Sequence, residues 1–267
     1  MERIDSAEAL RALLSGQLRP GVRTNLSGMK MPWQDEEIAA GRLLAQSFEG
    51  GLLLFHRKAR SCTLHYYLQK DAALPEIVSD LPVLTELPYR EGDSQEDALE
   101  QCFLDRGFVL RFRRLRRCRP EHAPLPAPKQ AYPVRYAEMA DLDRVLATLQ
   151  RFYDPLTACL PTERELAADI ARGDVMVPVG LDGVLRYCPS TRGVEFRHFA
   201  VEAAARGTGA AQSLFNAYSA EHPARAYAWM RADNGPINGF LEKNHFQIDK
   251  WRSAVFCLEP QSKENEP

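Results

Sequence analysis

Pro120, Pro124, Pro126, Pro128 and Pro133 fall within the sixteen residues from Cys118 to Pro133. Each lacks a backbone donor and forces its predecessor toward extended geometry, so neither a helix nor a central strand can run through the stretch. Residues 120–131 read as a semi-rigid linker. The 267-residue chain is thereby cut into halves of similar length, each large enough to bury a core of its own. The expected boundaries are 1–119 for an N-terminal α+β domain, 132–260 for a C-terminal mixed α/β domain, and a polar tail over 261–267.

Composition narrows the classes. Hydrophobic residues make up 45% and charged residues 26%, the balance of a soluble globular protein. Lys+Arg 34 against Asp+Glu 36 leaves a net charge of -2, so no global basic field exists to hold a nucleic-acid backbone. The longest apolar runs, such as Gly51-Leu52-Leu53-Leu54-Phe55, fall far short of the roughly 18–20 residues of a membrane span. The N-terminus is charged from its second residue and reads as neither a signal nor a transit peptide. A cytoplasmic protein with no nucleic-acid or membrane partner is expected. Cys62, Cys102, Cys118, Cys159, Cys188 and Cys257 include no CxxC pair, and the six histidines form no HExxH pair. Buried thiols and no metal are expected.

Periodicity supplies the order of elements. The first half reads as a helix over 6–14 capped by Asp5 or Ser6, a helical pattern over 35–48, and strands over 52–55 and 63–68. An extended stretch over 81–90, a helix over 95–105 and a strand over 107–117 follow. The second half reads β α α β β β α β α β. Its strands are 134–137, 174–180, 184–188, 193–201, 225–230 and 251–258, and its helices 141–152, 162–172, 206–222 and 236–243. Thr162 with Glu165 forms a capping-box pattern. Trp33, Trp229 and Trp251 read as core or cleft lining.

The segment between the strand ending at Val201 and the next helix carries the chemistry. It reads Val201-Glu202-Ala203-Ala204-Ala205-Arg206-Gly207-Thr208-Gly209-Ala210-Ala211. Gly207 and Gly209 remove side chains where the backbone must come close to something. The helix start offers free N–H groups and partial positive charge, and Arg206 adds a full one. Such a turn can hold a pyrophosphate. It lacks GxGxxG and GxxxxGK[ST], so neither a dinucleotide fold nor a Walker-type site is indicated.

Strand, then Val201, Arg206, Gly209 and Ala211, then helix resembles the acyl-CoA signature of the GNAT N-acyltransferase superfamily. The preceding hairpin, the following strand and the segment Asn234–Phe246 stand in the family's order, and the resemblance covers about half the chain, from Tyr132 to Pro260. It implies a GNAT-like mixed sheet flanked by helices, with acetyl-CoA or another acyl-CoA as co-substrate and no metal. It implies that backbone groups of Phe199, Ala200 and Val201 pair with the pantetheine arm. Arg206, Gly207, Thr208, Gly209, Ala210 and Ala211 would hold the pyrophosphate, and Asn234 would contact the cofactor arm. A backbone N–H near Phe199–Val201 would polarise the thioester carbonyl. Glu195, on the strand before Val201, matches the general base of histone-acetyltransferase-like members; the competing reading is a strand glutamate facing solvent.

One position departs from the family's pattern. Many members carry a tyrosine seven residues after the asparagine, as acid for the leaving thiolate; here that residue is Leu241, and the usual Gly-Phe reads His245-Phe246. Tyr218, Tyr227 and His198 are the conceivable substitutes, with core packing the competing reading for each.

The order over 84–117 parallels that over 227–258, and Phe103-Leu104-Asp105-Arg106-Gly107-Phe108 echoes Phe240-Leu241-Glu242-Lys243-Asn244-His245-Phe246. The first half is either a degenerate GNAT-like copy without a pyrophosphate loop or an unrelated α+β domain. The run Arg111–Arg119 reads as a solvated edge strand, and the competing reading is a polyanion site. Three functions follow from the whole: acyl transfer to a primary amine of a small molecule or protein, acyl-CoA binding or scaffolding without catalysis, and aminoacyl transfer from tRNA. The neutral charge weighs against the last.

Overall fold

Leu10 and Leu14 sit four residues apart on a helix whose first turn is closed by the Ser6 hydroxyl, which accepts from Ala9 N–H at 3.0 Å. Spacing and cap together bury one stripe of that helix against the sheet beside it. The computed structural model describes residues 1–17, 21–25, 34–93, 96–158, 160–190 and 193–260. Trp33, Cys159 and the tail 261–267 lie outside these.

The chain divides into two compact units, Met1–Arg113 with Trp251–Pro267, and Arg114–Lys250. In the first, the elements are β1 (Glu2–Arg3), α1 (Ala7–Ser15), β2 (Arg23–Thr24), α2 (Gln34–Ala39), β3 (Leu43–Phe48), β4 (Gly51–Arg57), β5 (Cys62–Leu68), β6 (Val83–Arg90), α3 (Glu96–Leu104) and the start of β7 (Val109–Arg119). β1, β3, β4 and β5 pair antiparallel in turn, and β6 lies parallel to β5. Alternation along β4 sends Leu52 and Leu54 to a core with Leu10, Leu14 and Ile38, and Leu53 and Phe55 to one with Tyr66, Phe103 and Phe256. The sheet is buried on both faces.

The second unit repeats this plan. Its elements are β8 (Val134–Tyr136), α4 (Leu142–Phe152), α5 (Glu163–Ala171), β9 (Val175–Pro178), β10 (Gly183–Ser190), β11 (Gly193–Val201), α6 (Ala210–Glu221), β12 (Ala226–Arg231), α7 (Gly235–Lys243) and β13 (Gln247–Leu258), the last passing into the first unit from Trp251. β8 to β11 pair antiparallel in turn, and β12 lies parallel to β11. The expected capping box closes α5, with Thr162 and Glu165 satisfying each other's backbone N–H. Val184 faces a core with Val145, Leu149 and Leu166 of α4 and α5; Leu185 faces one with Leu214, Phe215 and Phe246.

Each unit is closed by a strand from the other half of the sequence. β13 pairs antiparallel with β6 from Trp251↔Arg90 to Leu258↔Val83, and β7 pairs antiparallel with β12 from Arg114↔Arg231 to Arg119↔Ala226. Where boundaries at 119 and 132 were expected, the units divide at 113/114 and 250/251.

Three further expectations change. The helical pattern over 35–48 is a short helix and a strand: Gly41, at φ +66, turns the chain in a left-handed conformation after α2, and β3 pairs with β4. The Pro-rich residues are not a free linker. His122 N–H donates to Pro223 O at 3.3 Å, Asn216 Nδ2 to Pro126 O at 2.9 Å and Gln130 N–H to Thr208 O at 3.1 Å, tying the segment to the second unit. The arginine run is no solvated edge. Arg117 and Arg119 are buried at 4% and 3% exposure, Arg117 meets Glu242 at 2.7 Å, Arg116 meets Asp249 at 2.5 Å and Arg113 meets Glu100 at 2.8 Å. The fold itself absorbs these charges.

Candidate active site

β11 and β12 run side by side only through Val194↔Ala226, Glu195↔Tyr227 and Phe196↔Ala228. Beyond Phe196 the two parallel strands part, although β11 continues to Val201 and β12 to Arg231. A bulge accompanies the parting: on the β10 side Tyr187 pairs with Phe196 and Arg186 with His198, leaving Arg197 as the extra residue. The bulge resets the side-chain alternation. Phe196 and Phe199 both face the α6–α7 side, with ring centroids 5.9 Å from Phe215 and 5.2 Å from Phe240 respectively, while His198 is buried on the other face.

Parting leaves the backbone of β11 without a strand partner on that side, and buried N–H and C=O groups must find one. The phenol of Tyr153, at the C-terminal end of α4, supplies it. Phe199 N–H donates to the hydroxyl at 2.7 Å, and the hydroxyl donates to Phe199 O at 3.0 Å. Its ring stands edge-on to His198, centroids 4.9 Å apart. Burial pushes the Tyr153 pKa up to about 12, so it is a neutral donor. By strand alternation Val201 presents its backbone to the same side as Phe199, whereas Ala200 faces β10.

His198 is fixed by its surroundings. The Arg186 guanidinium lies 3.3 Å from Nδ1, which must therefore be the acceptor, and Nε2–H donates to Ala158 O at 3.3 Å. Arg186 is held in turn by Asp169 at 2.5 Å. Burial, and then the charge of Arg186, pushes the His198 pKa down to about 4. A neutral imidazole wedged in this way is a structural part of the fold.

After Val201 a short 3-10 turn, Ala203–Ala205, leads into the loop before α6. Among the described residues no side chain caps the first turn of this twelve-residue helix, so its leading N–H groups and its dipole are offered outward. Gly207, at φ +76, has open space where a Cβ would sit, and Arg206 is exposed, its guanidinium 5.7 Å from the Phe152 ring. Gly209, at φ +124, is different: a Cβ there would lie 2.4 Å from Gln130 O and 2.8 Å from Gln130 N. Its close backbone approach is to the Pro-rich segment of its own chain. Thr208 directs its hydroxyl to Ala205 O at 2.8 Å, while Ala210 is buried and Ala211 half-buried. An open left-handed glycine, uncapped helix N–H groups and an exposed arginine fit a pyrophosphate.

Glu195 lies in register with Tyr227 on β12, half-buried, with its carboxylate 3.0 Å from Arg197. Asn234 caps α7, its side-chain oxygen accepting from Ile237 N–H at 3.4 Å. Leu241 is 1% exposed in the core, so an aliphatic side chain fills the position where the resemblance expects a phenol. Tyr218 is buried in the aromatic cluster of α6. Tyr153 brings its hydroxyl to the β11 backbone. Sequence reasoning missed it because nothing in Phe152-Tyr153-Asp154-Pro155 beyond the helix-ending proline marks it.

No family model matches the sequence, and a comparison with curated proteins finds no relative. Solved structures resemble the chain. A GCN5-related N-acetyltransferase from Sphaerobacter thermophilus superposes with a TM-score of 0.55 at 12% identity, over 79% of this chain and 80% of its own. The fold is that of the GCN5-related N-acetyltransferases. An acetyltransferase of the GNAT family from Colwellia psychrerythraea matches 96% of both chains at 14% identity and a TM-score of 0.51. A tandem GNAT protein from the clavulanic acid biosynthesis pathway matches 97% of this chain and 88% of its own, at 10% identity and a TM-score of 0.50. The two GNAT-like units thus have a counterpart that is itself tandem. The first unit keeps the parallel pair β5 and β6 but has no helix between them over residues 69–82, and so has no counterpart of α6 or its loop. Among the described residues no helix is long and apolar enough to cross a membrane, and no group of three or more His, Cys, Asp or Glu side chains could hold a metal ion.

Proposed function

We propose that the protein is an acyl-CoA-dependent N-acyltransferase, acting on a primary amine, with acyl-CoA bound by the second unit. One observation carries this: β11 and β12 part after Phe196↔Ala228, and β11 leads through a short turn and loop to the uncapped start of α6. The first-turn N–H groups of α6 with Arg206, Gly207 and Thr208 would hold the pyrophosphate. The backbone of Phe199 and Val201 would receive the pantetheine arm, beside Ala200 and Asn234. Gly209, Ala210 and Ala211 would shape the loop from behind. Bound acyl-CoA supplies a thioester-activated acyl group, acetyl being the first choice. The Phe199 N–H is then the donor in the groove, and Glu195 is the proposed base that relieves the attacking ammonium of its proton, directly or through water.

The test is thermal unfolding of the full chain with acetyl-CoA, with CoA and ATP as controls, followed by thiol release with a panel of amines. Ligand at 100 times its dissociation constant adds about 2.7 kcal/mol to native stability. Stabilisation by acetyl-CoA that Arg206→Glu abolishes, with amine-dependent thiol release, is expected. No shift at millimolar acetyl-CoA overturns the proposal.

A second reading is acyl-CoA binding without turnover, and the burial of Leu241 at the expected acid position favours it. Stabilisation by acetyl-CoA with no thiol release across the panel would select it.

A further inference from the structure

In both units a parallel strand pair opens and something from the same chain closes the exposed edge. In the first unit β5 and β6 pair only at Cys62↔Val83 and Thr63↔Leu84. The freed edge of β5 is then covered by β2, through Arg23↔Leu68 and Thr24↔Tyr67. Asn25 completes the cover: its Nδ2 donates to Leu64 O at 3.0 Å, and its Oδ1 accepts from Tyr66 N–H at 3.1 Å. The chain itself forms the missing strand, and that edge is permanently taken.

In the second unit a side chain meets the opening after Phe196↔Ala228. The Tyr153 hydroxyl satisfies both the N–H and the C=O of Phe199, at 2.7 and 3.0 Å. Its place in the fold is equivalent, since β2 and Asn25 come from the chain between α1 and α2, and Tyr153 from the chain between α4 and α5. A strand cannot leave without unmaking the sheet. A phenol can leave by rotation about its own side-chain bonds.

One N–H makes one short, well-aligned hydrogen bond at a time. The Phe199 N–H can serve Tyr153 or a ligand acceptor, not both at once. We propose that Tyr153 is a displaceable plug: it holds the edge of β11 closed in the free protein and must leave Phe199 before the arm of acyl-CoA can pair there. The inference rests on the function proposed above. The loop that carries Tyr153 also makes hydrogen bonds that do not involve the phenol hydroxyl. The Asp154 carboxylate accepts from Leu156 N–H at 3.0 Å and from the Thr157 hydroxyl at 2.8 Å, and His198 Nε2–H holds Ala158 O at 3.3 Å. The side chain can therefore swing out while the loop stays folded.

A plug lowers apparent affinity by the fraction of molecules that are open, because only those can bind. Removing the hydroxyl while keeping the ring against His198 should raise that fraction. Calorimetric titration of the full-length wild type, Tyr153→Phe and Tyr153→Leu with acetyl-CoA and with CoA tests this. Both variants should bind about tenfold more tightly than wild type. Equal or weaker binding by the variants, with the wild type binding, overturns the plug and leaves the groove assignment standing. No binding by any of the three chains at millimolar ligand removes the groove assignment and the plug with it. Tyr153→Leu keeps the test decisive if Tyr153→Phe fails to fold.

Discussion

Gly209 lies so close beneath Gln130 that a Cβ added to it would fall 2.4 Å from the Gln130 carbonyl oxygen, while the neighbouring Gly207 has nothing within 4 Å of its own. Two glycines of one loop therefore serve different purposes. Gly209, at φ +124, lets the Pro-rich segment dock on α6; Gly207, at φ +76, leaves the mouth of the loop open.

Alanine substitutions separate the two. Gly209→Ala combines a backbone conformation that L-residues rarely adopt with a clash against main chain, and should cost at least about 2 kcal/mol of stability. Gly207→Ala should cost about 1 kcal/mol but place a methyl in the proposed pyrophosphate site. Unfolding with and without acetyl-CoA should show a large loss for the first that ligand does not depend on, and for the second a small loss with weakened ligand stabilisation.

His245 occupies a left-handed position, φ +64, directly before buried Phe246, and the corresponding turn after α3 has Gly107 at φ +81 before buried Phe108. Both turns close alike, with Phe246 N–H donating to Leu241 O at 2.9 Å and Phe108 N–H to Phe103 O at 3.1 Å. The exposed histidine is the strained member of the pair. His245→Gly should stabilise the protein by about 1 kcal/mol, raising the urea midpoint at unchanged slope.

The depressed pKa of His198 makes stability pH-dependent. Its folded value is about 4 and its unfolded value about 6.5, so between the two the unfolded chain binds more protons. Its neutral form contributes in full above about pH 6.5, and that contribution fades as pH falls toward 4, by about 3 kcal/mol in all. Half-buried His65 in the first unit, pushed down to about 3 by desolvation, acts in the same direction. Urea unfolding at pH 7.5, 6 and 4.5 should show the fall, with a shallower one in His198→Asn.

Glu195 gives the acid–base prediction. Glu195→Gln should lower amine-dependent turnover at least about 100-fold while leaving the acetyl-CoA dissociation constant unchanged. The paired loss of binding and turnover would assign the residue to the groove instead.

Local order was legible where one period dominates. The Leu142, Val145, Leu149 stripe, the Thr162–Glu165 box and the strand 193–201 stand at the expected positions, while the helix expected from 206 begins at Ala210. Residues 35–48 were misread because Ile38, Leu43 and Leu44 suit a helix and a strand alike, and the decision rests with Gly41. The exchange of β7 and β13 between units could not be read, because a strand's own pattern does not name its partner. Arg117 and Arg119 looked solvated for the same reason: their partners, Glu242 and the Asn244 carbonyl, are more than a hundred residues away. Tyr153 was invisible because its significance lies in an edge that the fold creates.

Acyl-CoA is proposed to bind the second unit at the opening of β11 and the start of α6, and not the first unit. Hydrogen–deuterium exchange of the full chain with and without acetyl-CoA reads this directly. Slowed exchange is expected in peptides covering residues 199–212, and none over residues 62–90. Unchanged exchange at 199–212 under saturating ligand, or protection confined to 62–90, would contradict it.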